Sequence, residues 1–174
     1  MHIILETPRL ILRRFTDSEA DAALIFQLNN DPEVLKYLHE PLLESKEQAR
    51  LILQNTILPQ YENKLGRWAV HLKSNGFIGW CGLKYRPEIN ETDIGYRLMK
   101  SAWGKGYATE AANACLKYGV DYLHLSSIIG RAEIKNLASI AVLKKIGMHF
   151  LKVEMLDHSF VEKYEYRKPG YEIK

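Results

Sequence analysis

A change in hydrophobic period near Arg67 constrains the fold of this chain more than any other feature. From there, apolar and polar residues alternate through two runs, RWAVHLK (67–73) and FIGWCGLKY (77–85). Such alternation is typical of strands that bury one face of a sheet. The runs are separated by Ser74-Asn75-Gly76, and Asn-Gly between alternating runs is a strong hairpin signal. The centre of the chain is therefore predicted to be an antiparallel sheet.

The flanking segments add helices and further strands. Ahead of the hairpin, the patterns predict a strand over 9–15 and three helices, which begin at Asp17 or Ser18, at Pro32, and at Ser45 (46–62). Beyond the hairpin and a loop at 86–91, they predict a strand (92–99), a helix (108–122), a strand (127–133), a helix (139–146) ended by Gly147, and two closing strands (149–156 and 161–167). We expect an α+β fold in a single domain over residues 1–174, with a mixed, mainly antiparallel sheet of six or seven strands and helices on both faces.

Composition excludes several classes of function. A chain of 174 residues is long enough to bury about 70% of its unfolded surface around one core. A net charge of +3 is too small to indicate nucleic-acid binding. No apolar run approaches the roughly 20 residues of a membrane span, and the N-terminal apolar patches lack a small-residue cleavage site. We expect a cytoplasmic protein without membrane contact, and no pattern defines an oligomeric state.

The metal-binding residue types do not form a motif. The six histidines lack the spacings of metal ligands, so no metal is predicted. Cys81 and Cys115 have neither metal spacing nor a secretory context, and we expect both to be small core residues.

The stretch SAWGKGYATE (101–110) lies between a predicted strand and a predicted helix. Backbone N–H groups at such a junction, with the positive end of the helix dipole behind them, bind anions. Gly104 and Gly106 would let a ligand approach the backbone, Lys105 would add charge, and Ala108 would keep the helix start narrow. Taken alone, however, Gly-x-Gly before a helix is more often a tight turn than a ligand site.

Two other phosphate loops do not fit this stretch. A P-loop needs Ser or Thr after its Gly-Lys, but Gly106 follows Lys105. A dinucleotide fingerprint needs a third small residue where Thr109 stands, and an acid about 20 residues further on at the end of a strand. The nearest acid, Asp121, lies inside the predicted helix.

The junction becomes specific when it is read with its flanks. The segments DIGYRL (93–98), WGKGYATEA (103–111) and Asn136 to Met148 together resemble the GNAT superfamily of acetyl-CoA-dependent N-acetyltransferases. The opening LETPRLILRRFTDSEADA (5–22) and the segment NNDPEVLKYL (29–38) look like the RimJ/RimL type, which acetylates protein N-termini and other amines. Where the superfamily usually has Gln or Arg, this chain has Trp103, as the RimJ/RimL type commonly does. The resemblance implies a GNAT-like fold with acetyl-CoA as co-substrate and no metal.

The resemblance also assigns residues to the cofactor. The backbone of Tyr96, Arg97 and Leu98 would pair with the pantetheine arm at a V-shaped opening of the sheet. The backbone of the following loop would hold the diphosphate, and its residues are Trp103, Gly104, Lys105, Gly106, Tyr107, Ala108 and Thr109. Asn136 and Ser139 would contact the cofactor as well, although spacing alone favours a structural reading in which Asn136 caps a helix.

Catalytic roles follow from the same resemblance. The backbone N–H near Tyr96 would face the thioester oxygen, and Ser139 would protonate the departing thiolate. Some members carry a glutamate base where this chain has Thr92, which cannot serve. Asp93 and Glu154 rank equally as alternatives, with Glu91 as a further possibility. Each of these acids has a solvated or structural role as its simpler reading.

We therefore expect an acyltransferase that moves an acetyl group to a primary amine by direct attack in a ternary complex. The acceptor would be a protein N-terminal amine, as in ribosomal-protein acetylation, or a similar amine. The alternatives are acetylation of a polyamine, amino sugar or antibiotic, and a non-catalytic acyl-CoA-binding sensor. The acceptor pocket should lie between the first two helices and the loop 86–91. This region carries acids that would suit a cationic acceptor, unless they are simply solvated, namely Asp31, Glu33, Glu40, Glu88 and Glu91.

Overall fold

The computed structural model describes residues 2–74, 76–156 and 158–168. The strands are β1 (Ile3–Glu6), β2 (Leu10–Arg13), β3 (Gly66–Leu72), β4 (Gly76–Arg86), β5 (Glu91–Leu98), β6 (Ser127–Glu133), β7 (His149–Leu156) and β8 (Ser159–Arg167). The helices are α1 (Glu19–Asn29), α2 (Pro32–Leu35), α3 (Lys46–Ile52), α4 (Tyr107–Lys117) and α5 (Leu137–Lys145). Asn75, in the predicted hairpin turn, lies outside the described residues, but β3 and β4 pair antiparallel on either side of it.

The strands form one mixed sheet in the order β1-β2-β3-β4-β5-β6-β8-β7. Neighbouring strands are antiparallel except β5 and β6, which are parallel and are joined through α4. The sheet has eight strands in the described chain, where six or seven were predicted. The additional strand is β1, whose IILE run is too short for its alternation to show, and which is ordered by antiparallel pairing with β2.

One face of the sheet lies against α4 and α5. Trp68, Cys81 and Tyr96 form a row across β3, β4 and β5 on this face. Cys81 Sγ lies 3.5 Å from the Sγ of Cys115 in α4, and the Tyr96 hydroxyl contacts Ser139 in α5. Both cysteines are fully buried free thiols, as predicted for core residues, and burial raises the pKa of Cys115.

The opposite face lies against α1. Because side chains alternate along a strand, the neighbouring row of Ala69, Trp80 and Arg97 points away from α4 and α5. Arg97 hydrogen-bonds the side chain of Asn29, at the end of α1. The helices therefore lie on both faces, as expected.

The N-terminal helices begin at the predicted polar caps. Ser18, rather than Asp17, caps α1, and Asp31 and Ser45 cap α2 and α3. The predicted helix over 46–62 is continuous but not uniform. A wider π-helical turn (Leu53–Ile57) and a tighter 3-10 turn (Leu58–Asn63) follow α3. The change of pitch coincides with Pro59, which has no N–H to donate to a preceding turn.

Two negative findings apply to the described residues. No helix among them is both long enough and apolar enough to cross a membrane. In the same ranges, no group of three or more His, Cys, Asp or Glu side chains is arranged to hold a metal ion.

A buried ion pair joins the sheet to α1. Arg13 on β2 donates two hydrogen bonds to the carboxylate of Asp21, at 2.6 and 3.0 Å, and Thr16 donates to the same group. The Asp21 side chain is only 5% exposed. Burial alone would raise the pKa of Asp21, but the hydrogen bonds from Arg13 and Thr16 outweigh it and hold the pKa below its ordinary value.

Asp21→Asn should destabilise the protein by about 3 kcal/mol, because it leaves the Arg13 charge buried without a counterion. The folded-state pKa of Asp21 is depressed, so its contribution is complete above the ordinary pKa of 3.8 and is lost as pH falls through the lower folded value. Urea unfolding should therefore show the gap between wild type and Asp21→Asn narrowing below about pH 4.

Asp17→Asn is the matched control, because Asp17 pairs with Arg50 on the exposed surface. Its unfolding midpoint should stay close to that of wild type. Equal midpoints for Asp21→Asn and wild type at pH 7 would contradict the role given to the buried pair.

Candidate active site

The sheet splits between β5 and β6. These parallel strands pair at only two positions, Asp93 with Ile129 and Ile94 with Gly130. From Gly95 onward β5 continues to pair with β4 but no longer with β6. The strand edge at Tyr96, Arg97 and Leu98 therefore borders an opening, in the place where a V-shaped gap was expected.

The glycine-rich loop lies directly after β5 and opens α4. Gly104 and Gly106 have φ angles of +73° and +79°, in the left-handed region that glycine adopts at low cost. Gly106 is the N-cap of α4, and no side chain caps that helix. A Cβ added to Gly104 would meet nothing within 4 Å, so the space in front of the loop is open. The first-turn amides of α4 are left available to an anion.

A cavity of about 400 Å³ joins the split in the sheet to this loop. Every residue predicted to hold the cofactor lines it except Lys105. They are Tyr96, Arg97, Leu98, Trp103, Gly104, Gly106, Tyr107, Ala108, Thr109, Asn136 and Ser139. Lys105 instead directs its ammonium back to the carbonyl of Ser101, at 2.9 Å. The far end of the cavity is lined by Val34, Tyr37 and Leu38, in and just after α2.

Tyr96 and Ser139 meet inside this cavity. The Tyr96 hydroxyl lies 2.9 Å from the Ser139 carbonyl oxygen and 3.0 Å from Ser139 Oγ. Burial raises the pKa of Tyr96 well above its ordinary value, so the phenol stays protonated. Asn136 caps α5 by accepting a hydrogen bond from the Ser139 amide. The cap uses only the amide oxygen of Asn136, which leaves its NH₂ group for other contacts.

The candidate bases lie outside the cavity lining and are held by cations. Asp93 points to the α1 face, where its carboxylate accepts a hydrogen bond from Arg67 at 2.9 Å. Glu154 accepts from Arg131 at 2.7 Å and pairs with Lys152. Burial would raise the pKa of Glu154, but these two partners lower it below the ordinary value.

An N-terminal clamp on the loop was not found by sequence reasoning. The Glu110 carboxylate, in the first turn of α4, accepts hydrogen bonds from the Thr7 hydroxyl and from the Arg9 backbone and side chain. Arg9 also donates to the Lys105 carbonyl at 3.0 Å and lies over the Tyr107 ring at 4.5 Å. The segment between β1 and β2 thus fixes the loop from outside. The only sequence signal was that Arg9 and Glu110 both fall within segments that carry the family resemblance.

Trp103 has a structural role that explains its place in the loop. Its indole N–H donates to the Leu98 carbonyl at 2.8 Å, across the turn from β5 into the loop. This hydrogen bond occupies the last carbonyl of β5 and holds the indole against the cavity, where Trp103 is 44% exposed.

A split parallel pair, an uncapped helix start and a hydroxyl pair in one cavity are the features expected of an acyltransferase that uses a coenzyme A thioester. The sequence profile described as "Acetyltransferase (GNAT) domain" matches residues 9–149. A relative from Bacillus subtilis, the N-acetyltransferase YoaA, is 36% identical over 152 residues, covering 84% of this chain and 83% of its own. The chain belongs to the GNAT family and is an acetyl-CoA-dependent N-acetyltransferase.

Solved structures show the same fold. RimL, the ribosomal L7/L12 alpha-N-protein acetyltransferase in complex with coenzyme A, superposes with a TM-score of 0.80 at 21% identity, over 95% of this chain and 98% of its own. The spermidine N-acetyltransferase from Vibrio cholerae, in complex with CoA and spermine, superposes with a TM-score of 0.76 at 20% identity, over 92% and 96%. At these identities the likeness describes the fold alone.

Gly104→Ala should weaken coenzyme A binding about tenfold, because the added methyl would occupy the open space through which a diphosphate reaches the loop amides. Isothermal titration calorimetry with coenzyme A measures this. The matched control is Gly76→Ala, at the first residue of β4, where the glycine has φ +70° and an added Cβ would meet nothing within 4 Å.

Both substitutions place a side chain in left-handed backbone and should cost about 1–2 kcal/mol of stability. Only Gly104→Ala should change the dissociation constant. An unchanged affinity in Gly104→Ala, or an equal loss in both variants, would remove the loop from the binding site.

Proposed function

We propose that this chain moves an acetyl group from acetyl-CoA to a primary amine, such as the amine of a protein N-terminus, by direct attack in a ternary complex. The observation that carries the proposal is the Tyr96–Ser139 hydroxyl pair, which lies in the same cavity as the split strand edge and the open loop. This arrangement supports Ser139 as a proton donor close to the expected position of the thioester. No covalent nucleophile is needed, because an amine attacks a thioester directly.

The cofactor would be oriented by backbone at both ends of the cavity. The amides of Gly104 to Thr109 would bind the diphosphate, and the free edge of β5 at Tyr96 and Arg97 would pair with the pantetheine arm as an added strand. A backbone N–H on that edge would donate to the thioester oxygen as negative charge develops there. One such donor is worth about 3–4 kcal/mol in the transition state.

The proton balance of the reaction gives a role to the hydroxyls of both Tyr96 and Ser139. The amine nitrogen forms a C–N bond and loses a proton, while the C–S bond breaks and the sulfur gains one. The phenol has one proton, which it can donate either to the Ser139 carbonyl or to Ser139 Oγ. When it donates to Oγ, the serine proton is free to reach the thiolate. Tyr96 would then keep the serine proton directed at the sulfur, and Ser139 would deliver it.

The base is proposed on the α1 face. Asp93 and Glu154 stay as alternatives for accepting the amine proton. Each would act through water, because each carboxylate is already hydrogen-bonded to a guanidinium. An amine that is neutral before it binds needs only this indirect help.

The acceptor has two candidate classes. A protein N-terminal amine is our first choice and corresponds to the RimJ/RimL type. The N-terminal segments over 5–22 and 29–38 support it, as does the likeness in fold to RimL. A small free amine is the second candidate. The confined cavity favours it, because a volume of about 400 Å³ has to hold the thioester end of the cofactor and the acceptor together.

A thiol-release assay tests the proposed reaction. Acetyl-CoA and protein are incubated with a panel of peptides and small amines, and free coenzyme A is followed with a thiol reagent. Release that depends on an amine supports the proposal. Tight coenzyme A binding without release for any amine would overturn it.

Ser139→Ala should lower kcat by roughly 10²- to 10⁴-fold and leave acetyl-CoA binding nearly unchanged, because it removes only the proton donor. Tyr96→Phe should lower kcat less, because Ser139 still carries its own proton. Steady-state kinetics together with calorimetric affinities separate the two effects.

Ser101→Ala, at an exposed serine just before the loop, is the matched control and should leave kcat unchanged. An unchanged kcat in Ser139→Ala would exclude Ser139 from the mechanism.

A further inference from the structure

Three arginines surround the opening of the sheet on the α1 face, opposite to Ser139. Arg97 follows Tyr96 directly and lines the cavity. The Arg67 guanidinium lies on Gly95, where an added Cβ would be only 2.9 Å from Arg67 Cζ. Arg131 follows Gly130, the last β6 residue that pairs with β5. Arg97 is the one of the three that lines the cavity, so an amine approaching the thioester from this side would meet Arg97 first.

Trp80 connects two of these arginines. Arg67 Cζ lies 5.2 Å and Arg97 Cζ 5.4 Å from the Trp80 ring, so the indole lies within cation–π distance of both guanidiniums. A strap after α2 crosses the same face, because His39 Nε2 lies 3.0 Å from Ser159 Oγ at the start of β8. These contacts partly shield the face from water, and charge–charge interactions are stronger where water is excluded.

The acids on this face are already used by cations. Asp93 pairs with Arg67, Glu40 with Arg97, and Glu91 with Arg131. Of the other acids expected near the acceptor, Asp31 caps α2, and Glu33 lines the cavity and lies 3.7 Å from the ammonium of Lys100. A polyamine ammonium that bound at Asp93, Glu40 or Glu91 would have to displace an arginine from an existing ion pair.

Positive charge is in excess on this face. Its ion pairs join more cations than carboxylates: the cations are Arg67, Arg86, Arg97, Arg131 and Lys163, and the carboxylates are Glu40, Glu91, Asp93 and Glu154. The side chains of Arg97 and Arg131 are each only 10% exposed. Among the described residues, three guanidinium donors on this face are buried without a hydrogen-bond partner (Arg86 Nε, Arg97 Nε and Arg131 Nη1), against one carboxylate acceptor, Asp93 Oδ1. Buried donors of this kind favour an anionic acceptor atom.

From this arrangement we propose that the acceptor is a primary amine whose skeleton also carries an anionic group, such as a carboxylate. The anionic group would bind at Arg97 and Arg131 while the amine reaches the thioester beside Tyr96. A free amino acid and a peptide that begins with Asp or Glu share this chemistry. The inference rests on the proposed acetyl transfer to an amine and selects among its acceptors.

Matched amines test the proposal on the intact protein. Each amino acid is compared with the amine that differs only by loss of the carboxylate: lysine with cadaverine, ornithine with putrescine, and phenylalanine with 2-phenylethylamine. The C-terminally amidated peptides Glu-Ala-Ala-NH₂ and Gln-Ala-Ala-NH₂, of which only the first carries a carboxylate, form the peptide arm. In the amino-acid pairs, in the peptide pair or in both, the carboxylate-bearing member should have a kcat/KM about 10- to 100-fold higher. The kind of pair that shows this difference indicates whether the acceptor is a free amino acid or a peptide.

Variants test which residues bind the anionic group. The measured quantity is the kcat/KM of the carboxylate-bearing amine divided by the kcat/KM of its matched amine. Arg97→Gln and Arg131→Gln should each lower this ratio about tenfold, and Arg97→Lys should restore part of it. Arg50→Gln removes the same charge at an exposed site paired with Asp17, and should leave the ratio unchanged. If Arg97→Gln does not fold, Arg131→Gln and the wild-type ratios decide the outcome.

The possible failures are distinguishable. Amine-dependent thiol release with equal or higher kcat/KM for the decarboxylated amines, or for spermidine, overturns the anionic acceptor and leaves the acetyl transfer standing. Ratios that do not change in the Arg97 and Arg131 variants overturn the assigned site. No release from any amine overturns the proposed function itself.

Discussion

The early end of pairing between β5 and β6 is the constraint on which the rest of the site depends. Two residue pairs hold these parallel strands together, and beyond them the edge of β5 has lost its neighbour on one side. Backbone N–H and C=O groups at such an edge need partners, and an extended ligand arm can supply them. The same gap connects the two faces of the sheet. Tyr96 and Arg97 are adjacent in sequence, yet Tyr96 points toward Ser139 and Arg97 points toward Asn29 on the α1 face. A thioester held in the gap is therefore accessible from both sides.

Much of the fold could be predicted because it is encoded by local patterns. The alternating runs on either side of residue 75 form β3 and β4, and Ser18, Asp31 and Ser45 cap the helices that follow the first predicted strand. Local patterns failed where order comes from a partner. The four residues of β1 are a strand because β2 lies beside them, and the turns after α3 change pitch near Pro59 instead of continuing as one regular helix. The position of β8 between β6 and β7 is likewise a tertiary result.

The site divides in the same way. The loop glycines could be identified because a glycine at a given position itself indicates an unusual backbone conformation there. The family resemblance extended that prediction to Asn136 and Ser139. What escaped prediction was the pairing of distant side chains. The sequence does not show that Glu110 is bound by the segment between β1 and β2. Nor does it show that two of the acids expected to attract a cationic acceptor, Glu40 and Glu91, are paired with arginines. A count of charges therefore suggested an acidic mouth, whereas the folded arrangement leaves guanidinium donors without partners.

The clamp formed by Thr7 and Arg9 makes the beginning of the chain a remote part of the proposed cofactor site. These residues do not line the cavity, yet they hold the loop that does. A purification tag, a truncation or a proteolytic cut near the N-terminus would thus lower the affinity for coenzyme A, even though every residue that lines the cavity is unchanged. Work on shortened or fused versions of this enzyme should treat the first ten residues as part of the machinery rather than as dispensable sequence.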